Sequence, residues 1–226
     1  MLMGLRFVLE VRRRESIDGM NLSLGVTMKQ GMTIHSERLD LVPLTPEFLR
    51  AGLEQNLAEA GRAGGFSVPS DLLDCADVMS LRLSQLEVDP ALQPWLLRGM
   101  VLRKDAMMMI GHIGFHTRPG PEYLRGFAPG AVEFGFEVYP TFRRQGYARE
   151  ASLALMRWAK EVHGVGHFVL SIRPDNIPSQ SLAASLGFVR IGSHMDEVDG
   201  VEDVLELRSL SGRDQGLGGS TPLPGV

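Results

Sequence analysis

The stretch Val138-Tyr139-Pro140-Thr141-Phe142-Arg143-Arg144-Gln145-Gly146-Tyr147-Ala148 decides how this chain folds. The aromatic and β-branched residues from Val132 to Tyr139 predict a strand. Beyond it, Ala148, Ala151, Leu155, Ala159 and Val162 recur at helical spacing and predict a helix over Gly146 to Val162. The quoted residues are therefore a strand-to-helix junction. The first N–H groups of a helix have no internal partner and lie at the positive end of its dipole, so such a junction binds phosphate. Gly146 brings no Cβ to hold an anion off the backbone. Ala148 keeps the next turn small, and Arg143 and Arg144 add charge. Short glycine motifs also occur in ordinary turns with exposed arginines, so the surroundings must decide.

Working outward, Arg38 to Val42 predicts a first strand, and Pro46 to Ala58 and Asp77 to Glu87 predict helices. Trp95 to Arg103 and Met107 to His116 predict two strands joined by a turn at Lys104-Asp105. A loop rich in Pro and Gly follows from Pro119 to Gly130. Downstream, the nearly continuous apolar run His167 to Ile172 predicts a buried strand. Pro178 to Leu186 predicts a short helix, with Gly187 where a helix ends in a left-handed residue. Phe188 to Gly192 and Asp203 to Leu207 supply the last strands. Strands, helix, strand, helix, strands is an α/β (α+β) pattern. Residues 1–31 read as an N-terminal extension. The Gly-, Pro- and Ser-rich stretch 211–226 reads as a disordered tail. One domain over 32–210 remains.

Bulk properties narrow the function. The chain has 226 residues, 44% hydrophobic and 22% charged, enough for a sizeable core. Its net charge of −4 argues against nonspecific nucleic-acid binding, which needs excess Lys and Arg. The apolar N-terminus, Met1 to Val11, has neither the charge order of a signal peptide nor the roughly 20 apolar residues of a membrane span. With Cys75 as the one cysteine no internal disulfide forms, and a reducing cytoplasm is the expected setting. No Cys or His lies near Cys75 along the chain, so a buried neutral thiol is expected there and no metal centre.

Arg143-x-x-Gly146-x-Ala148, with its Val138-x-Pro140 lead-in, resembles the Q/R-x-x-G-x-G/A motif of the GNAT acetyltransferases. Asn176-Ile177-Pro178-Ser179 and Leu186-Gly187-Phe188 are similar to the family's N-x-x-S and L-G-F signatures. Ser36 to Leu44, Ile110 to Gly114 and Val132 to Phe136 resemble the opening and middle strands of its RimJ/RimL-like branch, related to ribosomal-protein alanine acetyltransferases. The likeness spans roughly residues 33–208 in family order, which is more specific than any single motif.

The resemblance implies the GNAT fold, a central mixed, mostly antiparallel and splayed sheet flanked by helices. It implies acetyl-CoA as co-substrate, a primary amine as acceptor (a protein N-terminus or a small molecule), and no metal. A homodimer is compatible with it. The pyrophosphate would lie on the amides of Gln145, Gly146, Tyr147 and Ala148, with Arg143 and Arg144 assisting. Arg144 stands where many members have Gly. The pantetheine arm would run along the edge of the strand holding Phe136 and Val138, touch Asn176, and leave a free N–H there to stabilise an oxyanion. Glu133 stands where the branch often carries a Glu, so it is the expected base. Glu137 shares its face by strand alternation. The Tyr that many members place just before L-G-F is Ala183 here, which leaves Ser179 as the expected acid. Asn176 and Ser179 are equally at home as helix-start residues. His112 and His116 share one strand face with no acidic partner fixed by the sequence, and read as flanking the acceptor cleft. A non-catalytic acyl-CoA-binding or sensing module is the competing reading, favoured by Ala183 and Arg144 and opposed by Glu133 and Ser179.

Overall fold

The computed structural model describes residues 33–104, 107–196 and 200–208. The N-terminal extension, the tail and the Asp105 part of the expected turn lie outside them. Eight strands form one sheet: β1 (Ile34–His35), β2 (Leu39–Pro43), β3 (Arg98–Leu102), β4 (Met109–Phe115), β5 (Val132–Val138), β6 (His167–Ile172), β7 (Val189–Asp196) and β8 (Gly200–Arg208). Their order is β1-β2-β3-β4-β5-β6-β8-β7, and each pairing is antiparallel except β5 with β6. The parallel pair is joined through a long helix, the connection that parallel strands require. That helix is α4 (Tyr147–His163). The others are α1 (Pro46–Leu53), α2 (Leu57–Gly64), α3 (Ala76–Val88) and α5 (Ile177–Ser185).

The single helix expected over Pro46 to Ala58 is two. Thr45 caps α1 with Pro46 in its first turn. Gln55 then turns left-handed at φ 59°, and the Asn56 side chain accepts from Glu59 N–H to start α2. Apolar periodicity alone runs through this break. The expected strands at Trp95 and Met107 begin later, at Arg98 and Met109, and the last two extend further, to Asp196 and Arg208. Gly187 is left-handed at φ 90°, as its place after the short helix requires.

Strand alternation gives the sheet two faces of different chemistry. Ile113, Phe115, Val132 and Phe134 point into a core with Ala151, Leu155 and Ala159 of α4. Aromatic rings knit that core: Trp95 lies 5.3 Å from Trp158, and Phe115 lies 6.0 Å from Phe134. The opposite face is covered by α1, α2 and α3, whose apolar residues pack on Val101, Met109 and Tyr139. Arg98 is fully buried, donating to the carbonyls of Leu41 and Pro94 and lying 5.0 Å over the Trp158 ring.

One seam is incomplete. β5 and β6 pair only at Val132↔Phe168 and Glu133↔Val169, although each strand runs on for several residues. Beyond Glu133 the two strands diverge.

Phe115 is the centre of the aromatic core, so Phe115→Ala should cost about 3–5 kcal/mol. Met195→Ala, on an exposed part of β7, should stay within about 0.5 kcal/mol of the parent. Urea unfolding of both variants measures the contrast.

Candidate active site

The divergence of β5 and β6 opens a cleft whose two ends are set by the loops after those strands. After β5 the chain turns at Pro140–Phe142, Arg144 adopts φ 62°, and Gly146 adopts φ 82° immediately before α4. Alternating left-handed residues in such a turn direct successive N–H groups into one concavity. The first-turn amides of α4 add to it. Arg144 holds a left-handed backbone that costs a non-glycine residue about 1–2 kcal/mol.

A second layer fixes this loop. Glu150 accepts from the Arg38 N–H (2.7 Å), from Arg38 Nε (2.6 Å) and from Ser36 Oγ (2.7 Å). Burial would raise the Glu150 pKa, but these bonds hold it below the usual carboxylate range. Arg38 Nη1 also donates to the Gln145 carbonyl at 3.0 Å, and its guanidinium lies 4.4 Å over the Tyr147 ring. Arg38 thus braces the loop from behind. Arg143, expected to reach for phosphate, turns back on the strand: its Nε donates to the Val138 carbonyl at 2.7 Å, and its Nη2 lies 3.5 Å from Glu137 Oε1. Arg144 and Gln145 are exposed at the mouth.

Hydrogen-bond alternation identifies the open edge. His116 N–H donates to the Glu133 carbonyl, and Tyr139 N–H to the Ile110 carbonyl. The odd-numbered residues of β5 therefore bond to β4, and the N–H groups of Phe136 and Val138 face β6 across the gap. Beyond β6, Asn176 caps α5 by accepting from Ser179 N–H at 3.4 Å. The Ser179 side chain is half-buried at the same end of the cleft as the phosphate-type loop. Glu133 lies at the closed end, so the structure separates the two expected catalytic residues along β5 and β6.

Glu133 is buried, 6% exposed, and ringed by polar partners. Its Oε2 lies 3.4 Å from His116 Nδ1, and Ser171 and Tyr123 hydrogen-bond to it. Burial would raise its pKa, but the charge and hydrogen bond of His116, with those of Ser171 and Tyr123, hold it below the usual value. Arg82, buried on α3, donates to the His116 carbonyl at 3.1 Å and adds positive charge nearby. Four residues along, His112 Nε2 lies 3.6 Å from Glu137 Oε2. Burial pushes the His112 pKa down to about 4, against the opposing pull of Glu137. Both histidines thus have carboxylate partners, which the sequence alone did not fix. His112↔Glu137 and Gly114↔Gly135 are register partners, and His116 pairs with Glu133 beyond them. One face of β4–β5 therefore reads His–Glu, Gly–Gly, His–Glu. A sequence signal existed: both strands carry their pair at a spacing of four, so a register that joins one pair joins the other.

Two clusters among the described residues have metal-ligand composition, Cys75 with His112 and Glu137, and His194 with Asp196 and Glu202. The first corrects the reading of Cys75 as isolated from histidine, because 37 residues of sequence separate partners that lie 3.1 Å apart.

A family model described as an acetyltransferase (GNAT) domain matches residues 38–189. The FsC-acetyl coenzyme A-N(2)-transacetylase of Aspergillus fumigatus is 24% identical over 175 residues, 77% of this chain and 72% of its own. The structure of Mycobacterium smegmatis RimJ in complex with CoA-disulfide is similar at TM-score 0.52 and 17% identity, covering 78% of this chain and 87% of that one. A ribosomal-protein alanine acetyltransferase from Vibrio fischeri is similar at TM-score 0.51 and 13% identity, covering 78% and 96%.

Glu133 holds a lowered pKa in the folded protein, so its ionised form stabilises the fold above its unfolded value of 4.5, and that contribution fades as pH falls through the folded value. Glu133→Gln should cost about 1–3 kcal/mol at pH 7, and the gap to the parent should narrow below about pH 4.5. Urea melts across pH 7 to 3.5 test this; a gap constant with pH would contradict it.

Proposed function

Because the chain belongs to the GNAT acetyltransferase family, we propose that it moves an acetyl group from acetyl-CoA to a primary amine by direct attack through a tetrahedral intermediate. The observation that carries this reading is the β5 edge itself, which runs from an anion-ready loop to a buried carboxylate–imidazole pair. The pyrophosphate lies on the amides of Gln145, Gly146, Tyr147 and Ala148, and the exposed Arg144 adds charge there. Arg143 acts chiefly by bracing β5. The pantetheine arm follows Phe136 and Val138 and reaches Asn176. The Phe136 N–H stabilises the oxyanion as the thioester carbonyl is attacked.

An alkyl amine with a pKa near ~10.4 is mostly protonated at neutral pH and cannot attack. Glu133 supplies the basicity. Its contact with His116 Nδ1 allows the imidazole to take the amine proton on its other nitrogen, while the carboxylate stabilises the resulting charge. The new C–N bond forms, the C–S bond breaks, and the thiolate, whose conjugate thiol has a pKa near ~8.5, takes a proton through Ser179, whose hydroxyl is reprotonated by solvent in the same step. Two carboxylates, Glu133 and Glu137, on the cleft face suit a cationic acceptor, a protein N-terminus or a small-molecule amine. The name of the Aspergillus protein, an N(2)-transacetylase, points the same way. A single buried cysteine fits work in a reducing cytoplasm.

Gly146→Asp should abolish acetyl-CoA binding measured by calorimetry, since it sets a carboxylate against the phosphates; equal affinity would sink the assignment. Glu133→Gln should leave that affinity nearly unchanged and lower kcat by about 10²–10⁴. Raising the pH should recover part of the loss, as more acceptor is then neutral. Thiol release against an amine panel reads both effects, and a full rate in Glu133→Gln would remove the carboxylate from the chemistry.

A further inference from the structure

Cys75, His112 and Glu137 form a trio whose mutual approach acetyl transfer does not require. Cys75 is fully buried at the start of α3, His112 is on β4 and Glu137 on β5. His112 Nε2 lies 3.1 Å from Cys75 Sγ and 3.6 Å from Glu137 Oε2, and the sulfur lies 3.7 Å from the same carboxylate oxygen. Tetrahedral zinc, with Zn–S near 2.3 Å and Zn–N and Zn–O near 2.1 Å, sets adjacent ligand atoms about 3.4–3.6 Å apart. The three atoms already outline one face of such a site.

A thiol, an imidazole nitrogen and a carboxylate oxygen, three metal-ligating groups from three different elements, thus face one another, and a cation among them would offset the charge of the Glu137 carboxylate. The Tyr139 hydroxyl is 1% exposed with no hydrogen-bond partner among the described residues, and it shares the electrostatic surroundings of Cys75 and Glu137. Arg143 approaches Glu137 through Oε1, leaving Oε2 to the trio. Arg82 is the other nearby cation, and Asp71 and Asp74 balance it.

We propose that Cys75 Sγ, His112 Nε2 and Glu137 Oε2 bind a zinc ion that fastens α3 to β4 and β5 beside the acceptor cleft. Binding forms three protein–metal bonds and releases the thiol proton to solvent. Three protein ligands leave a fourth position for water or a donor atom of the acceptor.

Tag-free full-length protein, stripped with chelator and titrated with Co²⁺, tests this without reference to acetyl transfer. One equivalent should produce the intense visible bands of a four-coordinate ion and a sulfur-to-cobalt charge-transfer band in the near ultraviolet, both displaced by Zn²⁺. Cys75→Ser should remove the charge-transfer band. Glu137→Gln, a change at a half-buried side chain, should weaken Co²⁺ binding at least about 10-fold. His194→Gln, in the other cluster, should change nothing. The proposal is overturned if saturating Co²⁺ gives the wild type no sulfur band, if the band survives in Cys75→Ser, or if Glu137→Gln binds as the parent does.

Discussion

Two strands that run parallel yet share only two residue pairs govern this molecule. The seam between β5 and β6 stops at Glu133↔Val169, and the proposed acetyl-transfer site lies along the edge it leaves open. A strand edge inside a folded domain is costly, because its N–H and C=O groups lose water without gaining partners. Here the divergence is held by side chains. Glu133 accepts hydrogen bonds from Ser171 on the opposing strand and from Tyr123 in the preceding loop, while His116 holds it from just beyond β4. Farther along, Arg143 donates to the Val138 carbonyl on the open edge. The residue that closes the seam and the residue assigned the basicity are the same carboxylate.

The period of two in a strand divides the labour. Phe115, Phe134 and their neighbours face α4 and supply the apolar core. The intervening residues face α3 and carry His112, His116, Glu133 and Glu137. Between the two His–Glu rungs lies a rung of glycines, and the space above Gly114 is taken by backbone: a Cβ there would stand 2.6 Å from the Leu96 carbonyl oxygen. The polar rungs are thus kept apart by main chain that no side chain can replace.

Much of this was legible in the sequence. The junction from Val138 to Ala148 announced its strand, turn and helix because the apolar period changes across it. His167 to Ile172 matched its strand end to end. What escaped was non-local. The split of the first helix depends on one left-handed residue, Gln55, that periodicity does not register. The partners of His112 and His116 depend on strand register, and Cys75 meets His112 only through the docking of α3. Arg38 is the clearest omission. Read as the start of a strand, it is the brace of the phosphate-type loop, because its partner Glu150 lies 112 residues away.

That separation bears on the order in which the protein matures on the ribosome. The loop from Arg143 to Ala148 is local in sequence, but its brace, Arg38, comes from the turn between β1 and β2, and β6, which bounds the cleft, is made later still. A nascent chain that has just emerged through α4 holds the glycine turn without the opposite wall of the cleft. On the proposed assignment of this loop to the coenzyme, capture belongs to the end of synthesis, and occupancy of the loop reports that the first and last thirds of the chain have found each other.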